Sequence, residues 1–316
     1  MKQPTWPEWA AKCLSRLLGA GLLTLAGCAT TPAPLEQIKY FSQAFAAVNT
    51  VGQPLLDDLA VAERVVGRRQ AQLRAKAAAD DKACSSREAS WAATADASLG
   101  YIDGYCLEHA GYFANLGDPP ATAQLRGGLR VIERYAEVLT TLAEGRNIEQ
   151  ALGQVDALGQ EVGGLLALAG APLALAPALT ALQPLLANLA KNANAEEARR
   201  LITDGASQVS TLIGTLRDAV PPTFKTLIAD QRRNADNAAS AAAAVKEIEV
   251  RRVAVSQYVV LLGRLQQAWE ATLLAANNPG GSRLTDLVAR SAQLRADSEA
   301  VRRSLAALRG GAAPAP

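Results

Sequence analysis

The sequence predicts an all-α fold: an elongated antiparallel bundle of long coiled-coil-like helices with a small disulfide-stapled cap. Three observations carry this expectation. Ala and Leu dominate while aromatics make up 4% of the 316 residues, a composition that favours closely packed helices over a sheet of β-branched and aromatic side chains. Apolar residues recur every three or four positions through most of the chain, which places them on one helical face. A last line, Leu284, Leu287, Ser291, Leu294, Ser298, Val301, Leu305 and Leu308, keeps that spacing heptad after heptad, as a coiled-coil seam requires.

Taken in order, the first helix runs from Leu35 to about Ala79, with Ile38, Phe41, Phe45, Val48, Leu55, Leu59, Ala62, Val66 and Leu73 on its apolar face. Gly52 and Pro54 interrupt it, and because proline removes a backbone donor and crowds the preceding turn, a kink or break is expected near Val51 to Pro54. Asp80 to Pro120 changes character and reads as a cap insertion, with a short helix over Arg87 to Leu107 and turns ending at Gly117-Asp118-Pro119-Pro120. Helix resumes from Ala121 to about Gly145, burying Leu125, Leu129, Ile132, Tyr135 and Leu139. Asn147 then caps Ile148 to Leu168.

Asn194-Ala195-Glu196-Glu197 is capping-box-like and opens a helix to about Ala219. Pro221-Pro222 is expected to turn the chain. From there to Asn277 runs the longest periodic segment, marked by Phe224, Ile228, Val245, Ile248, Val255, Leu262 and Trp269; as one helix it would approach roughly 80 Å. Its Ala238 to Ala244 tract implies close helix contact or weak burial. Asn278 to Ser282 is a turn before the last helix, and 310–316 has the composition of a disordered tail. The bundle domain therefore spans 35–309, with the cap at 80–120.

Ahead of it, Lys2, Lys12 and Arg16 lie on the basic side of an apolar core, Leu17 to Leu25. The run to Gly27 is too short to span a bilayer, which needs roughly 20 residues. It closes on Leu25-Ala26-Gly27-Cys28, which resembles the lipobox of bacterial lipoprotein precursors. The resemblance implies that Cys28 gains a thioether-linked diacylglycerol, that signal peptidase II cuts before it, and that its new amine is acylated. Residues 1–27 would then be a signal peptide and 28–34 a tether. Ala29 stands where an aspartate would signal inner-membrane retention, so the resemblance implies the outer membrane, facing the periplasm.

Three bases and one acid precede Cys28, leaving 29 of each sign in the mature chain. A nucleic-acid binder would show a clustered basic excess. The pairs Arg68-Arg69, Arg199-Arg200, Arg232-Arg233, Arg251-Arg252 and Arg302-Arg303 are instead dispersed among acids and read as solvated helix faces. In an exported chain Cys84 and Cys106 pair by default, closing a loop of about 20 residues that contributes roughly 3 kcal/mol. His109 is the sole histidine, which leaves catalytic triads a single base, and no G-x-S-x-G, phosphate-binding or Glu-x-x-His pattern accompanies it. Asp57-Asp58, Asp80-Asp81 and Glu196-Glu197 read as helix starts, solvated faces and turns. No enzyme, cofactor or metal is expected.

Two features remain that could carry function. The cap gathers Trp91, Tyr101, Tyr105, Tyr112 and Phe113, read either as a local core where the bundle is thin or as a partner-binding surface, since aromatics are favoured interface anchors. Val162 to Ala190 carries no charge and is long enough to cross a bilayer, but Pro172, Pro177 and Pro184 argue against a span. Leu173, Leu175, Leu179, Leu182, Leu185 and Leu189 can instead line a groove between helices. The expected role is a non-catalytic scaffold or adaptor, tethered to the membrane by its lipid and contacting another envelope protein. The alternative is membrane insertion through Leu173, Leu175, Leu179 and Leu182, loosely similar to α-helical pore-forming toxins.

Overall fold

The computed structural model describes residues 33–77, 109–144, 148–167, 175–189, 195–233, 238–277, 292–294, 296–303 and 306, and the regular structure among them is helical throughout. Helix α1 (Ala33–Ala77) is followed by the single turn α2 (Ala110–Phe113), then α3 (Pro120–Glu144), α4 (Ile148–Ala167) and α5 (Ala176–Leu189). Next come α6 (Ala195–Asp204), α7 (Ala206–Leu227), α8 (Ala229–Arg233) and α9 (Ala238–Asn277). The expected signal peptide at 1–27, Cys28, Cys84, Cys106, Trp91, Tyr101, Tyr105 and Leu173 lie outside the described residues, as does most of the C-terminal line apart from Leu294, Ser298 and Val301.

The 45 residues of α1 form the spine. Ser42 meets Thr140, Asn49 donates to Glu133, and Arg126 pairs with Asp57; partners fall along α3 as they rise along α1, so these two helices run in opposite directions. On another face α1 meets α9 in the same sense, since the Thr272 hydroxyl donates to the Gln37 carbonyl at 3.1 Å and the Tyr258 ring abuts Gly52. Helix α7 lies along α9, with Arg251 donating to the Leu227 carbonyl and Arg217 to Gln266. Helix α4 covers the outer side of α3, where Leu165 packs on Gly127, and α5 packs on α4 and α7; Leu175, just ahead of α5, lies on Gly128. Outside α9, Leu294 and Val301 are buried and Asp297 pairs with Arg264.

Prolines change this course less than the sequence suggested. Helix α1 runs unbroken through Pro54. Helix α7 likewise runs through Pro221 and Pro222 to Leu227, so the expected turn is absent. Both prolines are exposed, leaving the Arg217 and Asp218 carbonyls, which lose an amide donor, within reach of water. The breaks fall elsewhere. Gly205 separates α6 from α7, and Ile228 separates α7 from α8, so one helix from 222 to 277 does not exist; α9 accounts for 40 residues of that stretch. Burial in α9 begins at Ala254, and the described side chains of 239–253 are exposed or half-buried, which assigns weak burial to the alanine tract.

The core centres on three aromatics. Phe41 and Tyr135 flank Trp269 with ring centroids 5.2 and 5.9 Å away, the second edge-on. Each polar tip is satisfied beside the Gly205 break: the Tyr135 hydroxyl donates to the Leu201 carbonyl at 2.8 Å, and the Trp269 indole N–H donates to the Ala206 carbonyl at 3.1 Å. A buried aromatic with its polar atom paired contributes area without a desolvation cost. Burial, and secondarily Asp204, raises the Tyr135 phenol above the usual tyrosine range, and burial alone raises Tyr258.

Candidate functional site

The functionally suggestive geometry lies at the end of α1 remote from its N-terminus, where one helix face holds a strap formed by α2 and residues 114–119. Glu63 and Gly67 share a face of α1, as do Arg64 and Arg68, because residues four apart stack along a helix. Gly67 is buried and carries no Cβ, so the Tyr112 ring lies directly against the backbone. Beside it Arg68 donates to the carbonyls of Tyr112 at 2.6 Å and Phe113 at 3.3 Å, and to Asn115 Oδ1 at 3.2 Å. Arg64 donates to the carbonyls of Ala114 at 3.2 Å and Gly117. Two guanidiniums thus fix the strap by its main chain. Gly117 turns it, with φ of +68°, a conformation L side chains rarely adopt.

Glu63 completes the attachment by capping α3. That helix begins at Pro120, a residue suited to a first helical position, but the preceding Pro119 has no side-chain acceptor for the free amides. Glu63 reaches across instead: its carboxylate accepts from the amides of Ala121 at 2.9 Å and Thr122 at 2.8 Å, and from the Thr122 hydroxyl at 2.8 Å. Negative charge at the positive end of a helix adds to the effect. Alongside, Arg126 pairs with Asp118 at 2.7 Å and Asp57 at 2.9 Å, and donates to Gln53. Burial works against the charged Arg126, but the hydrogen bonds to the two aspartates and their charges raise its pKa on balance. Glu133, farther along α3, is raised by burial and then by Glu137.

Because the strap is held by its backbone, its apolar side chains are left to solvent. Phe113 is 47% exposed and Leu116 87%, with the Arg68 guanidinium 5.9 Å from the Phe113 ring centre. On α1, Val61 and Val65 are also exposed, lying just beyond the arginines around the helix. Tyr112 is half-buried beneath the strap, and His109 sits at the N-terminal boundary of α2 without capping it through its side chain.

The other sequence-derived candidates are placed differently. Leu175, Leu179 and Leu182 are buried in the core and Leu185 packs against it, and no helix among the described residues is long and apolar enough to cross a membrane. Between α1, α3, α7 and α9, Leu56, Leu59, Leu129, Leu216, Tyr258 and Leu262 enclose only about 10 Å³ of free space, room for one water at most. Sequence reading missed Glu63, Arg64 and Leu116 and left Arg68 on a solvated face. Two signals were available: arginines at i and i+4, and a proline-led helix start lacking a local cap. Comparison with known protein families, curated proteins and solved structures finds no match.

Proposed function

We propose that this chain is a non-catalytic lipoprotein, anchored in the outer membrane through Cys28 and facing the periplasm, where it acts as a scaffold or adaptor for another envelope component. In this reading the packed helices form an elongated antiparallel bundle with coiled-coil-like seams, and the 80–120 region, stapled by Cys84 and Cys106, forms its contact-bearing end. The observation that supports it most is the unbroken α1, which at 1.5 Å per residue extends roughly 67 Å and is braced by α3 and α9. Such a helix separates the lipid-bearing N-terminus from the strap by a fixed distance. A rigid spacer needs length and regular packing more than chemistry.

The test is metabolic labelling with radioactive palmitate followed by envelope fractionation. The wild type should carry label and sediment with outer membranes, while Cys28→Ser should lose both properties. Unlabelled wild-type protein would defeat the anchor. For the staple, non-reducing peptide mapping should recover the Cys84 and Cys106 peptides joined; finding both thiols free in exported protein would remove it. Insertion through Leu175, Leu179 and Leu182 would require pulling all three out of the core.

A further inference from the structure

The strap is an exposed apolar feature on a backbone held in place by charged groups, and among the described residues no carboxylate pairs with those charges. The hydrogen bonds of Arg64 and Arg68 go to neutral oxygens, the carbonyls of residues 112, 113, 114 and 117 and the Asn115 amide. The nearby carboxylates among the described residues are committed elsewhere: Glu63 to the amides that open α3, and Asp118 to Arg126. Two guanidinium charges therefore stand between Phe113 and Leu116 on one side and Val61 and Val65 on the other. A guanidinium retains unused N–H donors when it binds a carbonyl through one edge, and a carboxylate matches that fork.

We propose that this surface docks an acidic, apolar patch of another envelope protein, a carboxylate meeting Arg64 and Arg68 while apolar side chains cover Phe113, Leu116, Val61 and Val65. Charge complementarity selects the partner, and the fixed backbone removes the ordering cost that a loose loop would bring to binding. The strap lies about 50 Å along α1 from its first residue. The assignment rests on the adaptor reading and names the face it uses.

The experiment places a benzophenone amino acid at Leu116, and in parallel strains at Val260 and Leu274, exposed positions on α9, in the full lipoprotein in intact cells. The Leu116 probe should give one product with a different protein, cross-linked within a stretch rich in Asp or Glu and apolar residues. Its yield should fall at least tenfold in the double variant Arg64→Gln, Arg68→Gln, whose amide nitrogens take the place of Nε toward the Ala114 and Tyr112 carbonyls, and similarly with Phe113→Asp. Lysine in place of the partner's acid should leave the wild type uncaptured. A yield indifferent to both arginines overturns the proposal, as does a product with lipid, with a second copy, or with residues 78–108 of the same chain. Capture at Val260 or Leu274 but not at Leu116 overturns this surface and leaves the adaptor reading standing. No capture at any position, with protein at native level, defeats both.

Discussion

At one end of α1, Phe41 packs against Trp269, which Tyr135 meets from another side and which is 0% exposed; at the other, Arg64 and Arg68 hold a strap through charged hydrogen bonds to its main chain while Glu63 caps the helix that follows it. One helix thus joins its neighbours by two kinds of chemistry. The aromatic joint gains from removing apolar area from water and is not weakened by ionic screening. The strap gains from hydrogen bonds to ionised groups, which are directional and leave the apolar side chains of the bound segment outside. Packing fixes what is inside, whereas polar clamping can fix what must stay outside.

Breaking the aromatic joint should have the largest effect. Trp269→Ala removes a fully buried ring and leaves the Ala206 carbonyl without its donor, at a cost of about 3–5 kcal/mol, read as a lower urea midpoint for the whole domain. A midpoint within a few tenths molar of wild type would deny the joint its role. Next is the alkaline limb of stability. Tyr135 and Tyr258 hold their protons more tightly when folded than the usual tyrosine pKa of about 10. Their stabilisation is intact below pH 10; above it the unfolded chain loses protons that the native state keeps, so stability falls by up to about 1.4 kcal/mol per pH unit for each ring. Tyr258→Phe should shallow that slope between pH 10 and 11.

At the polar end, Glu63→Ala should cost about 1–3 kcal/mol, because it strands two amides at the start of α3. Its mark is local: faster hydrogen exchange at residues 121–125 with little change around Trp269. Equal protection at 121–125 in variant and wild type would show that the cap does not hold this helix. Two glycines sharpen the contrast. A Cβ at Gly52 would stand 2.5 Å from the Tyr258 hydroxyl inside the core, and one at Gly67 would collide with the Tyr112 ring beneath the strap. Gly52→Ala should lower global stability by about 1–3 kcal/mol as an overpacked core does. Gly67→Ala should instead lift the strap, seen as exchange confined to 109–119. Least of all, Leu116→Asp should change stability by less than about 0.5 kcal/mol, as an exposed position does.

The apolar periodicities that are local to a helix were legible: α3 and α4 begin and end within a residue or two of the expected positions, and Leu125, Leu129, Ile132, Tyr135 and Leu139 are buried as read. What escaped depended on the far side of the molecule. Pro54, Pro221 and Pro222 were read as stops because proline removes a donor, yet tertiary packing and solvent carry the helices past them. At the Gly205 break the Leu201 and Ala206 carbonyls also accept from the Tyr135 hydroxyl and the Trp269 indole, partners more than sixty residues distant in sequence. Arg68 read as an ordinary solvated charge and Glu63 drew no reading at all, since their partners lie 44 to 59 residues away.

The hydrogen bond from Thr272 to Gln37 joins positions 235 residues apart, and it has a temporal meaning. During synthesis α1 emerges first, but α9, which must cover one of its apolar faces, comes in the final quarter of the chain. The spine therefore waits, its Phe41 side uncovered, until most of the polypeptide exists. A chain with so late a closing step folds after it is complete and offers its unfinished N-terminal helix to chaperones in the interval.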